Sequence, residues 1–280
     1  MKQSIRNFID KNSESENEDF IFEKENDIYS LFSLSDGAGG DGIFCGSWAE
    51  FLSTNQPSAP FFSVEDAKKW FLEISKKFHD AQLLSITKEN PFVEEKFYHE
   101  GSYATLIYCW ISKEEYRLYY TGVGDSTLFI FSKDKSDYIT KLIFPINQQQ
   151  RLNQSPNLLN WRRELKHNLL SNEFNISSKD KIIICSDSFA RWLLLNLLVL
   201  DCNNTQQLLN PDMISDINSE FIDYLEYIKT TKKYSSVSNL LSVIKEMLFD
   251  KDVFQDTLSK LIEQNELVKD DFSVIFLERV

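Results

Sequence analysis

With 280 residues, 43 acidic against 30 basic side chains and a net charge of −13, the chain is long enough to bury a sizeable core in one or two domains. Its charge has the wrong sign for nucleic acid or an anionic membrane surface, and no basic patch interrupts it. No signal-peptide core occurs, and the longest strongly apolar run, Trp192 to Leu200, is broken by Asn196 and too short for a bilayer. A cytoplasmic protein with no nucleic-acid partner and no membrane partner is expected.

Residues 1 to 16 read as a polar, acidic arm. Phe20 to Phe22 and Ile28 to Leu34 are strand-like runs separated by EKEND, which predicts a hairpin. The second run delivers Asp36 into a turn carrying glycines at 37, 39, 40 and 42, where the backbone can fold tightly. Ile43 to Leu52 can begin a helix, and Ser63 to Asp66 resembles a capping box ahead of a second. In that helix Val64, Ala67, Trp70, Phe71, Ile74 and Phe78 recur at helical spacing. Ala104 to Ile111, Tyr116 to Thr121, Thr127 to Phe131 and Tyr138 to Phe144 predict an antiparallel meander joined by KEE and GVGD. Leu158 to Leu170 has helical spacing. Lys181 to Cys185 is a short apolar strand ending at Ser186 and Asp187, Phe189 to Leu267 turns helical, and Phe272 to Leu277 returns to strand. Cys45, Cys109, Cys185 and Cys202 show no CxxC spacing and read as reduced core thiols. His79, His99 and His167 are dispersed, and structural or solvated roles are expected for them.

Aspartates stand where apolar strands end: Asp36 after LFSL, Asp125 after YYTGVG, Asp187 after IIICS and Asp270 before FSVIFL, with Glu18 and Asp19 preceding Phe20. Singly, an aspartate at a strand end makes a turn or caps a helix. Jointly, if neighbouring strands bring these ends together, the charges cannot all persist without a cation. Carboxylates suit a hard divalent ion, magnesium or manganese, and the lack of paired His and Cys argues against zinc. A two-metal centre is the chemistry such a set would support.

In order and spacing, NED at 17 to 19, SDGAGG at 35 to 40, GSYAT at 101 to 105, GVGDST at 122 to 127, SDS at 186 to 188 and KDDFSV at 269 to 274 resemble the metal-dependent type 2C Ser/Thr protein phosphatases. The resemblance runs from about residue 17 to 277. It implies an α+β fold, a four-layered α-β-β-α sandwich of two antiparallel sheets flanked by helices, formed as a single domain over 1–280. It also implies a binuclear Mn2+ or Mg2+ site. Asp36 would bridge the two ions, Glu18 and the Gly37 carbonyl would hold one, and Asp187 and Asp270 the other; Asp19 would act through water. Asp36, Asp187 and Asp270 would thus be the catalytic set, and Asp125 matches an aspartate associated with a third, weaker ion. A metal-activated water would attack phosphorus, with no serine or cysteine nucleophile. Implied partners are a phosphoprotein substrate and a Ser/Thr kinase, for a monomeric phosphatase.

The chain departs from the family pattern at several positions. Ala38 stands where eukaryotic members often carry His, Glu14 where a phosphate-gripping Arg is usual, Ser188 for a Gly and Thr127 for an Arg. Loss of the Arg opens a second reading, a catalytically weak or inactive scaffold that binds phosphoproteins. Retention of Glu18, Asp36, Asp187 and Asp270 favours the enzyme. GAGGDG at 37 to 42 formally satisfies GxGxxG, but Asp36 would crowd a pyrophosphate and STNQPSAP replaces the second strand a dinucleotide fold needs. The helical stretch 189–269 is the expected place for substrate or partner selection.

Overall fold

The computed structural model describes residues 2–4, 17–39, 42–83, 86 and 91–278. In chain order the elements begin with β1 (Lys2–Ser4), β2 (Asp19–Glu25), β3 (Tyr29–Asp36), α1 (Cys45–Thr54), α2 (Val64–Leu83) and α3 (Pro91–His99). Next come β4 (Tyr103–Ala104), β5 (Leu106–Ser112), β6 (Arg117–Val123), β7 (Thr127–Asp134) and β8 (Asp137–Phe144). After β9 (Leu159–Asn160), β10 (Asn172–Asn175) and β11 (Lys181–Cys185) the chain turns helical. The helices are α4 (Asp187–Leu200), α5 (Cys202–Leu208), α6 (Pro211–Glu220), α7 (Ile222–Thr231), α8 (Val237–Met247) and α9 (Lys251–Glu263), and β12 (Val274–Glu278) follows. The class is α+β, with two antiparallel sheets, each accompanied by helices.

The chain divides into two compact units. One takes in Glu16–Gly124 and Asn157–Ile176. Its sheet has the order β10-β6-β5-β3-β2, every neighbour antiparallel. Trp48 and Leu52 of α1 and Phe71 and Phe78 of α2 share a core with Leu31, Tyr108 and Trp110 of the strands. The capping box forms as expected: Ser63 Oγ accepts from the Asp66 amide at 3.1 Å and donates to the Asp66 carboxylate at 2.7 Å. The antiparallel pairing of β3 on both sides also rules out a dinucleotide-binding crevice after Asp36, which needs parallel strands.

The other unit holds Asp125–Pro156, Ser177–Val280 and β1. Its sheet runs β1-β12-β11-β7-β8, again antiparallel throughout. Leu193 and Leu197 of α4 and Leu240, Leu241 and Ile244 of α8 are buried in one core with Phe129, Ile183 and Phe276. At one end of the sheet Lys181 stands opposite Glu278, with a contact of 2.8 Å. Burial raises the Glu278 carboxyl, but hydrogen bonds from Lys181 and Lys245 outweigh it and hold it below its ordinary range.

Several expectations need correction. Lys2–Ser4 of the supposed polar arm is an edge strand antiparallel to β12. The rest of the arm expected over 1–16, with Glu14, lies outside the described residues, as do Gly40 and Asp41. The predicted meander breaks at GVGD, since β6 and β7 belong to different sheets. Leu158 to Leu170 is not a helix. There the Asn160 side chain donates to the Glu100 carbonyl and accepts from the Arg162 amide, local bonds that compete with a helical ladder. Leu159, Trp161 and Leu169 are buried nonetheless. Cys202 is exposed, while Cys45, Cys109 and Cys185 are buried free thiols. No helix among the described residues is long and apolar enough to cross a membrane.

One close approach fixes where β3 ends. A Cβ on Gly37 would lie 2.6 Å from the carbonyl carbon of Cys45 and 2.8 Å from the Gly46 amide nitrogen, so α1 rests directly on bare backbone. Gly37→Ala should therefore displace α1 and lower the unfolding free energy by roughly 1–3 kcal/mol. Urea denaturation of the metal-free chain checks this, and an unchanged midpoint would show that the contact is slack.

Candidate functional site

The expected site residues fall into two sets, one in each unit. Glu18, Asp19, Asp36 and Gly37 belong to the first unit, and Asp125, Asp187 and Asp270 to the second.

In the first set, β2 and β3 pair so that Asp19 stands directly opposite Asp36. Side chains of directly opposed residues project from the same face, and like charges there repel. Asp36 is the last residue of β3, and Thr105 holds it from both backbone directions. The Thr105 hydroxyl accepts from the Asp36 amide at 2.9 Å, and the Thr105 amide donates to the Asp36 carbonyl at 2.8 Å. The Gly37 amide donates to the Glu18 carbonyl at 2.9 Å, tying the NED segment to the glycine turn. Gly39 lies against the Glu18 carboxylate, whose oxygen would sit 3.0 Å from an added Cβ. Thr105 is placed in turn by Gly124. That residue has φ +106° and would drive a Cβ to within 2.6 Å of the Thr105 methyl. GSYAT and GVGD thus act on Asp36 through backbone and packing.

In the second set, Asp187 begins α4 as β11 ends, where the helix dipole favours a negative charge. The Ser186 amide donates to the Ser273 carbonyl at 3.0 Å and the Ser273 amide donates back to the Ser186 hydroxyl at 3.0 Å, locking the ends of β11 and β12 together. Ser188 donates its hydroxyl to the Asp270 carboxylate at 2.8 Å. The Asp271 amide donates to the other Asp270 oxygen at 3.0 Å. Asp270 rather than its neighbour therefore meets the first turn of α4. Burial first, then the charge of Asp187 and to a lesser degree that of Asp270, raises the Asp125 carboxyl to about 6, against downward pulls from a backbone hydrogen bond and from the charge of Arg191.

Among the described residues, no group of three or more His, Cys, Asp or Glu side chains is arranged to hold a metal ion. What each set does show fits an oxygen-preferring dication. The donors are carboxylates and backbone carbonyls, and like charges face one another across β2 and β3 and around Asp125. Cysteine chemistry is disfavoured: burial pushes the Cys45 thiol up to about 11 and the Cys109 thiol higher still, so both stay protonated. His79 stacks on Phe97 and meets Trp161 at a tilt, a packing role. Sequence reading missed Thr105 and Arg191 as parts of the two sets. GSYAT marked the first, and only the four-residue spacing from Asp187 marked the second.

Over nearly its full length the chain is similar to solved serine/threonine phosphatases. The S. agalactiae serine/threonine phosphatase matches at 13% identity and TM-score 0.46, covering 100% of both chains. Stp1 from Staphylococcus aureus matches at 12% and 0.48, covering 99% of this chain and 95% of its own. RsbX in complex with magnesium matches at 15% and 0.43, covering 97% and 92%. No protein-family model matches the chain, and no curated protein matches it in sequence.

The raised Asp125 carboxyl makes a prediction for the metal-free chain. A carboxyl that binds its proton more tightly folded than unfolded stabilises the fold at low pH and loses that contribution as pH rises from about 4 through about 6. Asp125→Asn should therefore melt higher than the parent at pH 7.5, by on the order of 2 kcal/mol, with the gap closing near pH 4. Thermal melts across that range in chelator check it. A gap independent of pH would contradict the charge assignment.

Proposed function

We propose that the chain is a metal-dependent phosphoprotein phosphatase that hydrolyses phospho-Ser and phospho-Thr at a binuclear manganese or magnesium centre. The observation carrying this reading is the fixing of Asp36. Both backbone directions are bonded to Thr105, Asp19 is opposite in register, and Gly37 is bonded to the Glu18 carbonyl. An apolar strand that ends by aiming carboxylates at one another is explained by a cation. Asp36 would bridge the ions, Glu18 and the Gly37 carbonyl would serve one, Asp187 and Asp270 the other, and Asp19 would act through water.

Such ions, when bound, supply an acidified water for attack and a positive field for the phosphoryl oxygens. The chain's own residues do the orienting. Thr105 prevents Asp36 from swinging with its turn, and Ser188 with the Asp271 amide presents Asp270 in one rotamer. The α4 N-terminus favours ionised Asp187. The raised thiols of Cys45 and Cys109 suit them to packing and not to attack. With −13 on the chain, phosphosites flanked by basic residues would be steered in better than acidic ones. We assign substrate and kinase-partner selection to exposed positions of the helical stretch, such as Ile222, Phe249 and Val253, because its buried positions build the core. Action as a monomer in the cytoplasm belongs to the same reading.

Asp36→Asn and Asp187→Asn should each lower manganese-dependent turnover of a phosphopeptide or p-nitrophenyl phosphate by about 100-fold or more. Near-parental turnover in either variant would defeat the assignment. A parent chain that binds manganese without turnover would instead be a phosphoprotein-binding scaffold.

A further inference from the structure

We propose that the end of the first unit's sheet opposite Asp36 is a docking surface for a basic, proline-rich segment of a partner protein, held in polyproline II conformation against the rings of Tyr29, Tyr119 and Phe62. This surface belongs to the first unit alone and involves neither the acids of the metal reading nor the helical positions assigned above.

Tyr29 opens β3 and Asp36 closes it, so Tyr29 lies about 24 Å along the strand from the acidic end. Leu31, Trp110 and Tyr119 are opposed across β3, β5 and β6, and Tyr29, two residues before Leu31, projects from the same face. Leu31 and Trp110 are in the core, whereas Tyr29 and Tyr119 are only partly buried at its margin. Phe62 extends the row: it is 66% exposed, although its neighbour Phe61 is buried against Trp110. Tyr119 meets Tyr29 at 6.1 Å and 90°, and Phe62 at 5.7 Å and 88°. Rings at right angles stabilise one another and leave an open ring face beside each edge, the surface on which proline packs. Ile28, 58% exposed, adjoins them in the β2–β3 turn, where its carbonyl accepts from the Lys113 amide at 2.9 Å. Apolar side chains exposed singly need no explanation, but contiguous ones mark an interaction site. The platform is braced, since Arg117 donates to the Tyr119 hydroxyl at 3.3 Å while Glu115 and Glu173 flank the same guanidinium at 3.6 and 3.5 Å. A preformed aromatic surface loses little freedom on binding, and a polyproline II segment brings the same advantage. Charge selects the partner. Lys113 and Arg117 are already engaged by Glu25, Glu115 and Glu173. Exposed Asp27 and Glu114 add to the acidic side and Lys24 to the basic, which leaves acid in excess to attract Lys and Arg. The same excess disfavours a second copy of this chain as the occupant.

Fluorescence anisotropy of the full chain with a fluorescein-labelled peptide of repeating Arg-Pro-Pro tests this and needs no turnover. The parent should bind in the micromolar range at low salt and more weakly as salt rises. Peptides of repeating Glu-Pro-Pro or Arg-Ala-Ala should bind about 10-fold more weakly or worse. Tyr119→Ala should weaken binding by about 10-fold, and so should Phe62→Ala, whose exposed position keeps the test decisive should Tyr119→Ala fold poorly. Phe249→Ala, on the helical stretch, should bind as the parent does. No binding by the parent, equal binding of the acidic peptide, or unchanged binding by Phe62→Ala overturns the proposal. So does tighter binding of Arg-Ala-Ala, which would make a basic helix the occupant. A parent that self-associates in sedimentation unless Phe62 is replaced would make the occupant a second copy, and overturns it equally.

Discussion

Carboxylates held against other carboxylates are the constraint on which the molecule turns. Asp19 and Asp36 are opposed in register across two strands, and their positions are not adjustable, because the strand pairing, the Thr105 bonds and the bare backbone at Gly37 fix them. In the second unit Asp125 lies in the field of Asp187 and Asp270. A protein can meet such repulsion by protonating a group, by supplying a positive side chain or by binding an ion. This chain shows the first at Asp125, where the proton is held to higher pH. The opposed pair on β2 and β3 invites the third.

The folding of each unit serves to deliver these ends. β11 and β12 are buried almost throughout, and their ends are cross-tied by Ser186 and Ser273 before Asp187 and Asp270 emerge. β3 is buried along Ser30–Ser35 and ends at half-buried Asp36. Apolar runs supply the rigidity, and the polar residue at the end of each run inherits a fixed position. The same logic explains why small departures matter: Ser188 puts a hydroxyl where a Gly would leave space, and that hydroxyl is spent orienting Asp270.

Much of this was legible in the residues. KIIIC reads as a strand because it is short, apolar and β-branched, and the serine–aspartate pair at Ser63 and Asp66 announces a helix because the cap needs those side chains. The strand-end aspartates stood out for the same reason, as each terminates an apolar run. What stayed hidden depends on partners distant in sequence. Thr105 reaches Asp36 across 69 positions, and Ser188 reaches Asp270 across 82. Asn160 unmakes a helix that Leu158, Trp161, Leu165 and Leu169 advertise, through a bond to Glu100 that no local pattern reveals. The parting of β6 from β7 was concealed because the end of β6 and the start of β7, on either side of the turn, are both buried on both faces and carry no alternation to mark the change of sheet. Lys2–Ser4 is paired although nothing in KQS predicts it.

Whether acids from the two units serve one pair of ions is the claim most worth testing directly. Low-temperature electron paramagnetic resonance of the manganese-loaded chain reads it from the metals themselves, because ions sharing a bridging ligand are exchange-coupled and ions bound apart are not. The account predicts a coupled spectrum that Asp36→Asn converts to that of isolated ions. A spectrum of isolated manganese in the parent, at saturating metal, would contradict it.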